Sequence, residues 1–154
     1  SDDLNRDMYD LIVGTLKEHG YDHYEISNFA KKGYKSLHNL CYWNNNRYYG
    51  FGLGASGYIS NIRCTNTRNI SKYLKGDYLY SSEVISKKID MENFMILGLR
   101  KIKGVSDREF KKRYGLSIKD VFDTKKLDFF DDMWYISEQN LFISNLILKD
   151  FIDI

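Results

Sequence analysis

Tyr24-Glu25-Ile26-Ser27-Asn28-Phe29-Ala30, His38-Asn39-Leu40-Cys41-Tyr42-Trp43 and Gly50-Phe51-Gly52-Leu53-Gly54-Ala55-Ser56 follow one another between Tyr21 and Tyr58. Aromatics and glycines are concentrated here, and carboxylates are missing just beyond. From Ile26 to Gly76 there is no Asp or Glu, while eight cations occur: Lys31, Lys32, Lys35, Arg47, Arg63, Arg68, Lys72 and Lys75. The whole chain is only +2, so the remainder is net acidic. A segment that gathers cations, aromatics and glycines and omits carboxylates is suited to a flat anionic partner.

Working outward, the N-terminal side reads as helix, glycine, strand. Asp2 to His19 has Leu4, Met8, Leu11, Ile12, Thr15 and Leu16 on a 3.6-residue period, with Asp2 or Asp3 as cap and Gly20 as the stop. Asp22 to Phe29 reads as one strand, with Tyr24, Ile26 and Asn28 on one face and His23, Glu25 and Ser27 on the other. This is half of a β/α repeat, and half a repeat cannot bury its faces alone. The expectation is an α/β remnant whose preceding part has been cut away.

Lys31 to Asn46 shows no period and reads as a long loop, with Asn44-Asn45-Asn46 favouring a turn. Tyr48 to Ser60 alternates and reads as a strand whose glycines admit a close backbone or ligand. Ile62 to Thr65 reads as a return strand and Asn69 to Lys75 as a short helix. From Ser81 the pattern is an amphipathic helix ending at Gly104. Ser106 caps a second helix to Tyr114, with Glu109 at the capping-box position and Gly115 as the stop. Ser117 to Phe122 starts a third, Trp134 to Ser137 is strand-like, and Asn140 to Ile154 is a helix or a strand plus a helix. The expected division is residues 1–76, α/β, and residues 77–154, a mainly α, winged-helix-like lobe.

At 154 residues the chain can hold one core or two small lobes. No apolar run reaches the roughly 20 residues of a membrane span, and two cysteines among many lysines read as reduced cytoplasmic thiols. The absence of proline beside abundant Asn, Lys, Ile and Tyr points to AT-rich bacterial coding bias. A nucleic-acid-binding module is a competing reading, but a DNA-reading winged lobe carries its cations on its own recognition helix. Residues 77–154 hold 13 basic and 14 acidic side chains, so no specific nucleic-acid binding is expected. A third reading is a structural cap for a barrel supplied elsewhere.

The two blocks Tyr24-Glu25-Ile26-Ser27-Asn28-Phe29-Ala30 and His38-Asn39-x-x-Tyr42-Trp43, followed by Gly52-x-Gly54-Ala55, resemble the C-terminal part of the oxygen-independent coproporphyrinogen III oxidase family of radical SAM proteins. The His-Asn-x-x-Tyr-Trp pattern resembles its haem-chaperone branch. Leu97-Gly98-Leu99-Arg100 before Gly104-Val105, and Phe142-Ile143-Ser144-Asn145, fit the family's helical C-terminal domain. The resemblance implies the end of a partial (β/α) barrel, a winged-helix-like lobe, and haem or porphyrin as partner, with a haem-acceptor protein and the missing barrel domain as further partners. It implies a four-iron cluster and SAM in the parent protein; the Cys-x-x-x-Cys-x-x-Cys triad that would hold them is absent from this sequence, so the chain alone is expected to catalyse nothing.

The same resemblance assigns residues. His38 becomes the haem iron ligand, where the bland alternative is a solvated histidine. Asn39 orients it or makes a turn. Tyr42 and Trp43 stack on the porphyrin, or Trp43 anchors the segment to the core. Cys41 is a thiolate alternative to His38 or an inert buried thiol. Lys35, Arg47 and Arg63 are candidates for the anionic propionates. Glu25, Asn28, Gly52, Gly54 and Ala55 line the SAM or substrate cavity in the family, the alternative for the glycines being tight backbone packing.

Overall fold

A computed structural model describes residues 2–152. α1 (Asp2–Glu18) ends at Gly20 as expected. The cap expected at Asp2 or Asp3 falls after the helix has begun, and the Asp2 side chain lies outside the described residues. The strand expected from Asp22 to Phe29 is a hairpin. β1 (Asp22–Glu25) pairs antiparallel with β2 (Asn28–Ala30), with His23 opposite Phe29. The chain turns at Ile26-Ser27 because the Ile26 amide is claimed by the Arg100 carbonyl at 2.9 Å rather than by a neighbouring strand.

The expected loop at 31–46 contains α2 (Leu37–Trp43), capped by the Ser36 hydroxyl, which accepts from the Asn39 amide. A three-stranded antiparallel sheet follows, in the order β3 (Ser56–Ile59), β4 (Ile62–Asn66) and β5 (Leu79–Val84). α3 (Ile70–Leu74) sits between β4 and β5, with Asn69 as its cap. β3 is shorter than its alternation suggested. Tyr48 joins only by a bridge to Tyr58, and the glycines between them turn the chain. The close backbone that the glycines admit is the chain's own: a Cβ on Gly50 would collide with the Ser56 carbonyl.

The helix expected from Ser81 starts later. α4 (Lys87–Gly98) is capped by Ser86, while residues 79–84 are extended and pair with β4. Its expected first turn, Ser81 to Val84, instead continues a strand from Leu79 and finds a partner that periodicity does not reveal. β5 therefore shares a sheet with residues 56–66, across the expected 76/77 division.

Beyond α4 come β6 (Val105–Ser106), α5 (Asp107–Tyr114), a 3-10 turn at Ile118–Asp120, β7 (Asp128–Phe130) and β8 (Met133–Tyr135). The sheet order is β6-β8-β7. α5 matches its expectation: the Ser106 hydroxyl accepts from the Glu109 amide, and Gly115 closes the helix at φ 82°. Glu109 does not complete a capping box; it pairs with Arg113 at 2.6 Å. The third helix is reduced to one turn, held where the Asp107 carboxylate accepts from the Ser117 hydroxyl and the Ile118 amide, both at 2.9 Å. Short helices, including α6 (Ser144–Leu148), end the chain; Asp153 and Ile154 lie outside the described residues.

One apolar cluster, from Met91 to Phe151, forms the core. Phe110, Phe151, Met95 and Leu99 are fully buried in it. The first half hangs on this core rather than holding one of its own. The stripe expected to bury α1 is exposed: Met8 is 52%, Leu11 70% and Ile12 48% accessible. Of the expected stripe only Leu16 is half-buried, together with Tyr9 and Val13, and the Tyr9 hydroxyl donates to the Ile26 carbonyl. Among the described residues no helix is long and apolar enough to cross a membrane.

Asp90 on α4 ties the halves together. Its carboxylate accepts from the Tyr58 hydroxyl (2.7 Å), the Tyr114 hydroxyl (2.8 Å) and the Asn45 amide (2.9 Å), with Arg47 at 3.7 Å. Burial pushes the Asp90 carboxyl up, but these donors outweigh it and its pKa lies below the ordinary value. Burial, then the bond to Asp90, pushes the Tyr58 phenol up to about 12. A depressed folded pKa adds stability above the unfolded value, and that stability is lost as pH falls through the folded one. Asp90→Asn is therefore expected to cost about 1.5–3 kcal/mol near neutral pH, the worth of a hydrogen bond to a charged group. The gap to wild type, read by urea unfolding, should narrow below about pH 4, where unfolded Asp takes its proton.

Candidate functional site

α2 is seven residues long and too short to be stable by itself. Its register is set by Glu25, which is 2% accessible. The Glu25 carboxylate accepts from the Trp43 indole, from the Asn28 amide across the hairpin turn, and from the Asn39 amide at 3.4 Å. Asn39 and Trp43 are four apart and share one helix face. The Arg100 guanidinium lies 4.8 Å over the Trp43 ring. Behind them the Ile26 amide bonds the Arg100 carbonyl and the Ile102 amide bonds the Tyr24 carbonyl, so hairpin, α2 and the end of α4 form one unit.

The next four-residue pair, His38 and Tyr42, faces out. The His38 ring meets Tyr42 edge-on at 4.8 Å, and Tyr42 meets Tyr48 at 4.6 Å. Beyond them lies a cavity of about 300 Å³ lined by Tyr42, Tyr48, Tyr58 and Arg63. Burial pushes the Tyr48 phenol up. His38 is exposed, and among the described residues its ring nitrogens have no hydrogen-bond partner. The other two histidines are engaged: His19 with the Thr15 carbonyl at 2.7 Å, His23 with the Ile26 carbonyl at 3.2 Å.

The structure thus gathers part of the sequence-derived set. Asn28, Asn39 and Trp43 meet at the buried Glu25 carboxylate; the exposed His38 lies edge-on to the half-buried Tyr42. Asn39 points to Glu25 rather than to the imidazole, and Trp43 is an anchor. Gly52, Gly54 and Ala55 are held elsewhere. The Gly52 amide donates to the Tyr73 hydroxyl, the Gly54 amide to the Thr67 carbonyl, and the Asn66 amide to the Ala55 carbonyl. Of the cations, Lys35 pairs with Asp22 at 3.7 Å, and Arg47 lies 3.9 Å over Tyr58 and bonds the Ser60 carbonyl. Arg63 lies 5.6 Å over Tyr58, with no carboxylate within 4.0 Å among the described residues. Cys41 is a half-buried free thiol. Sequence reasoning missed Arg100, Tyr48 and Tyr58; a guanidinium ending a buried helix was the available signal for the first.

Trp43→Phe and Asn39→Ala each remove a donor from a buried carboxylate. Each is expected to cost about 1–3 kcal/mol in urea unfolding, and the double variant should be non-additive because both act on Glu25. Additive losses would show that the two bonds are independent.

Comparison with known proteins bears directly on this geometry. Residues 85–141 match the family model described as HemN C-terminal domain. The chain is 43% identical over 125 residues to the heme chaperone HemW of Lactococcus lactis, covering 79% of this chain and 33% of that protein. It is 40% identical over 121 residues to HemW of Bacillus subtilis, covering 75% and 32%. Among solved structures, the radical SAM enzyme coproporphyrinogen III oxidase (HemN) of Escherichia coli matches with a TM-score of 0.71 at 12% identity. That match covers 96% of this chain and 40% of the enzyme, and shows a shared fold. The chain spans about a third of the length of these HemW relatives. By these matches the chain is similar to haem chaperone HemW proteins over most of its own length, and its residues 85–141 match the HemN C-terminal domain.

Proposed function

We propose that this chain is the haem-handling C-terminal part of a haem chaperone, with haem as cargo ligated by His38. The observation that carries the reading is the exposed imidazole of His38, whose two nitrogens lack the hydrogen bonds that hold His19 and His23. The surroundings suit a porphyrin. Tyr42 and Tyr48 offer aromatic surface beside the imidazole, and Arg63 offers a guanidinium without a carboxylate partner for a propionate. Arg47 and Lys35, already engaged, serve as weaker anion contacts. Asn39 and Trp43 act through Glu25, by fixing the rotation of α2.

The order β6-α5-turn-β7-β8, with β8 central, supports a winged-helix-like lobe with a shortened third helix. The exposed Met8, Leu11 and Ile12 of α1, with Phe51 at 84% accessible, support a barrel domain as the partner of the first half. In that arrangement the cluster, SAM and any redox chemistry belong to the barrel, and cargo leaves to a haem-acceptor protein in the cytoplasm.

Titration with ferric haem followed at the Soret band tests the reading. His38→Ala is expected to weaken binding by about tenfold or more and to shift the band, the loss of an axial ligand. Arg63→Ala should weaken it by a few-fold without a shift, and Cys41→Ser should leave it unchanged. A spectrum kept by His38→Ala and lost by Cys41→Ser would assign the iron to the thiolate instead.

A further inference from the structure

A cavity of about 600 Å³ lies on another flank of α2 from His38. Leu40 lines it, two residues and therefore about 200° around the helix from His38. Its walls are preformed: β1 on one side and the segment 101–103 on the other are joined by the Ile102 amide on the Tyr24 carbonyl (3.2 Å) and by the bridge between Glu25 and Lys101. Tyr21, Tyr24, Leu40 and Ile102 give it aromatic and aliphatic surface. Four lysines surround that surface: Lys17, Lys35, Lys101 and Lys103.

The charges do not balance. Of the two carboxylates lining the cavity, Glu138 is engaged by Lys17 at 3.0 Å and Asp22 by Lys35 at 3.7 Å. Among the described residues no carboxylate lies within 4.0 Å of Lys101 or Lys103. Lys101 instead donates to the neutral Asn44 side chain at 2.6 Å. Burial pushes the Lys101 ammonium down, with Glu109 the main charge opposing the shift, and Lys101 also lines a neighbouring pocket with Asn44 and Glu109, so Lys103 is left as the cleft's own cation without a carboxylate within 4.0 Å among the described residues. A surface patch of solvated lysines would lack the aromatic walls, and an apolar cleft alone would lack the unpaired Lys103 beside the weakly held Lys35. The volume is that of a small-molecule site.

We propose that this cleft is a second binding site, for a flat amphipathic organic anion carrying two carboxylates. The apolar body lies against Tyr21, Tyr24 and Ile102. One carboxylate meets Lys103, and the other competes with Asp22 for Lys35. The site is separate from the His38 edge and needs no metal in its ligand.

Calorimetric titration of the whole chain with three probes tests this. Naphthalene dicarboxylate has both features, its dimethyl ester only the apolar body, and citrate only the charge. The dicarboxylate is expected to bind more tightly than either by about tenfold. Lys103→Glu should remove that advantage, and Lys35→Ala should reduce it. Lys149→Glu, a charge reversal outside the cleft, should leave it intact. Both cleft lysines are at least partly accessible, and circular dichroism verifies that the variants are folded. Equal binding of the ester would reduce the site to an apolar groove, and equal binding of citrate would reduce it to a charged surface. Either result overturns the proposal, as does a Lys103→Glu protein that binds like wild type. Loss of binding in His38→Ala with Lys103→Glu unaffected would put the anion on the other face and also overturn it.

Discussion

The buried carboxylate of Glu25 is the constraint on which the site depends. A carboxylate removed from water without partners costs several kcal/mol, so a fold that buries one must bring donors to it. Here the donors come from the hairpin turn and from α2. Because Asn39 and Trp43 must both point at Glu25, α2 has one permitted rotation. That rotation turns His38 and Tyr42 outward and Leu40 toward the lysine cleft. The Arg100 guanidinium over Trp43 closes the arrangement from the far side. The exposed imidazole is thus placed by a polar contact it does not touch.

The second such contact, Asp90, works on the same principle at the junction of the two halves. The apolar core from Met91 to Phe151 belongs almost wholly to the second half. The first half attaches through directional bonds to Asp90 and Glu25, with limited packing by Tyr9, Tyr24 and Tyr58. Apolar burial alone tolerates sliding; a carboxylate that must meet two phenols and an amide does not. The relative placement of the His38 edge and α4 is therefore fixed by geometry more than by buried area.

Where the sequence was legible, the signal was local. Ser106 and Gly115 bracket α5, Asn69 caps α3, and the asparagines at 44–46 stop α2, with the nearly buried Asn45 at φ 48°. The first half of α1 misled because it has two apolar faces, and periodicity does not say which one has a neighbour. α2 was hard to see because its apolar set Leu37, Leu40 and Cys41 is short and Leu37 is exposed; the helix is held by a side chain twelve or more positions away. The hairpin at Ile26-Ser27 and the strand β5 depend on partners at Arg100 and on β4 that no local window contains. The motif residues were all legible by resemblance, but the division of labour among them was not. Asn39 and Trp43 sit beside His38 and Tyr42 in the sequence, but about 100° of helix rotation per residue puts them on a different face, toward Glu25.

That division determines what a loss of haem binding would mean. An isolated helix of seven residues is not stable in water, since even Ala-rich helices need about 12–15 residues to be marginal. α2 therefore keeps its shape only while Glu25 holds it, and a change at Glu25, Asn39 or Trp43 disorders His38 without touching it. Such variants lower stability and binding together. A change at His38 itself leaves every bond to Glu25 in place and, on the proposed reading, is expected to lower binding alone. The ratio of the two effects, not the size of either, separates a ligand from a support. On the proposed reading His38, Tyr42, Tyr48 and Arg63 are expected to fall on the ligand side of that criterion, and Asn39 and Trp43, bonded to Glu25, on the support side.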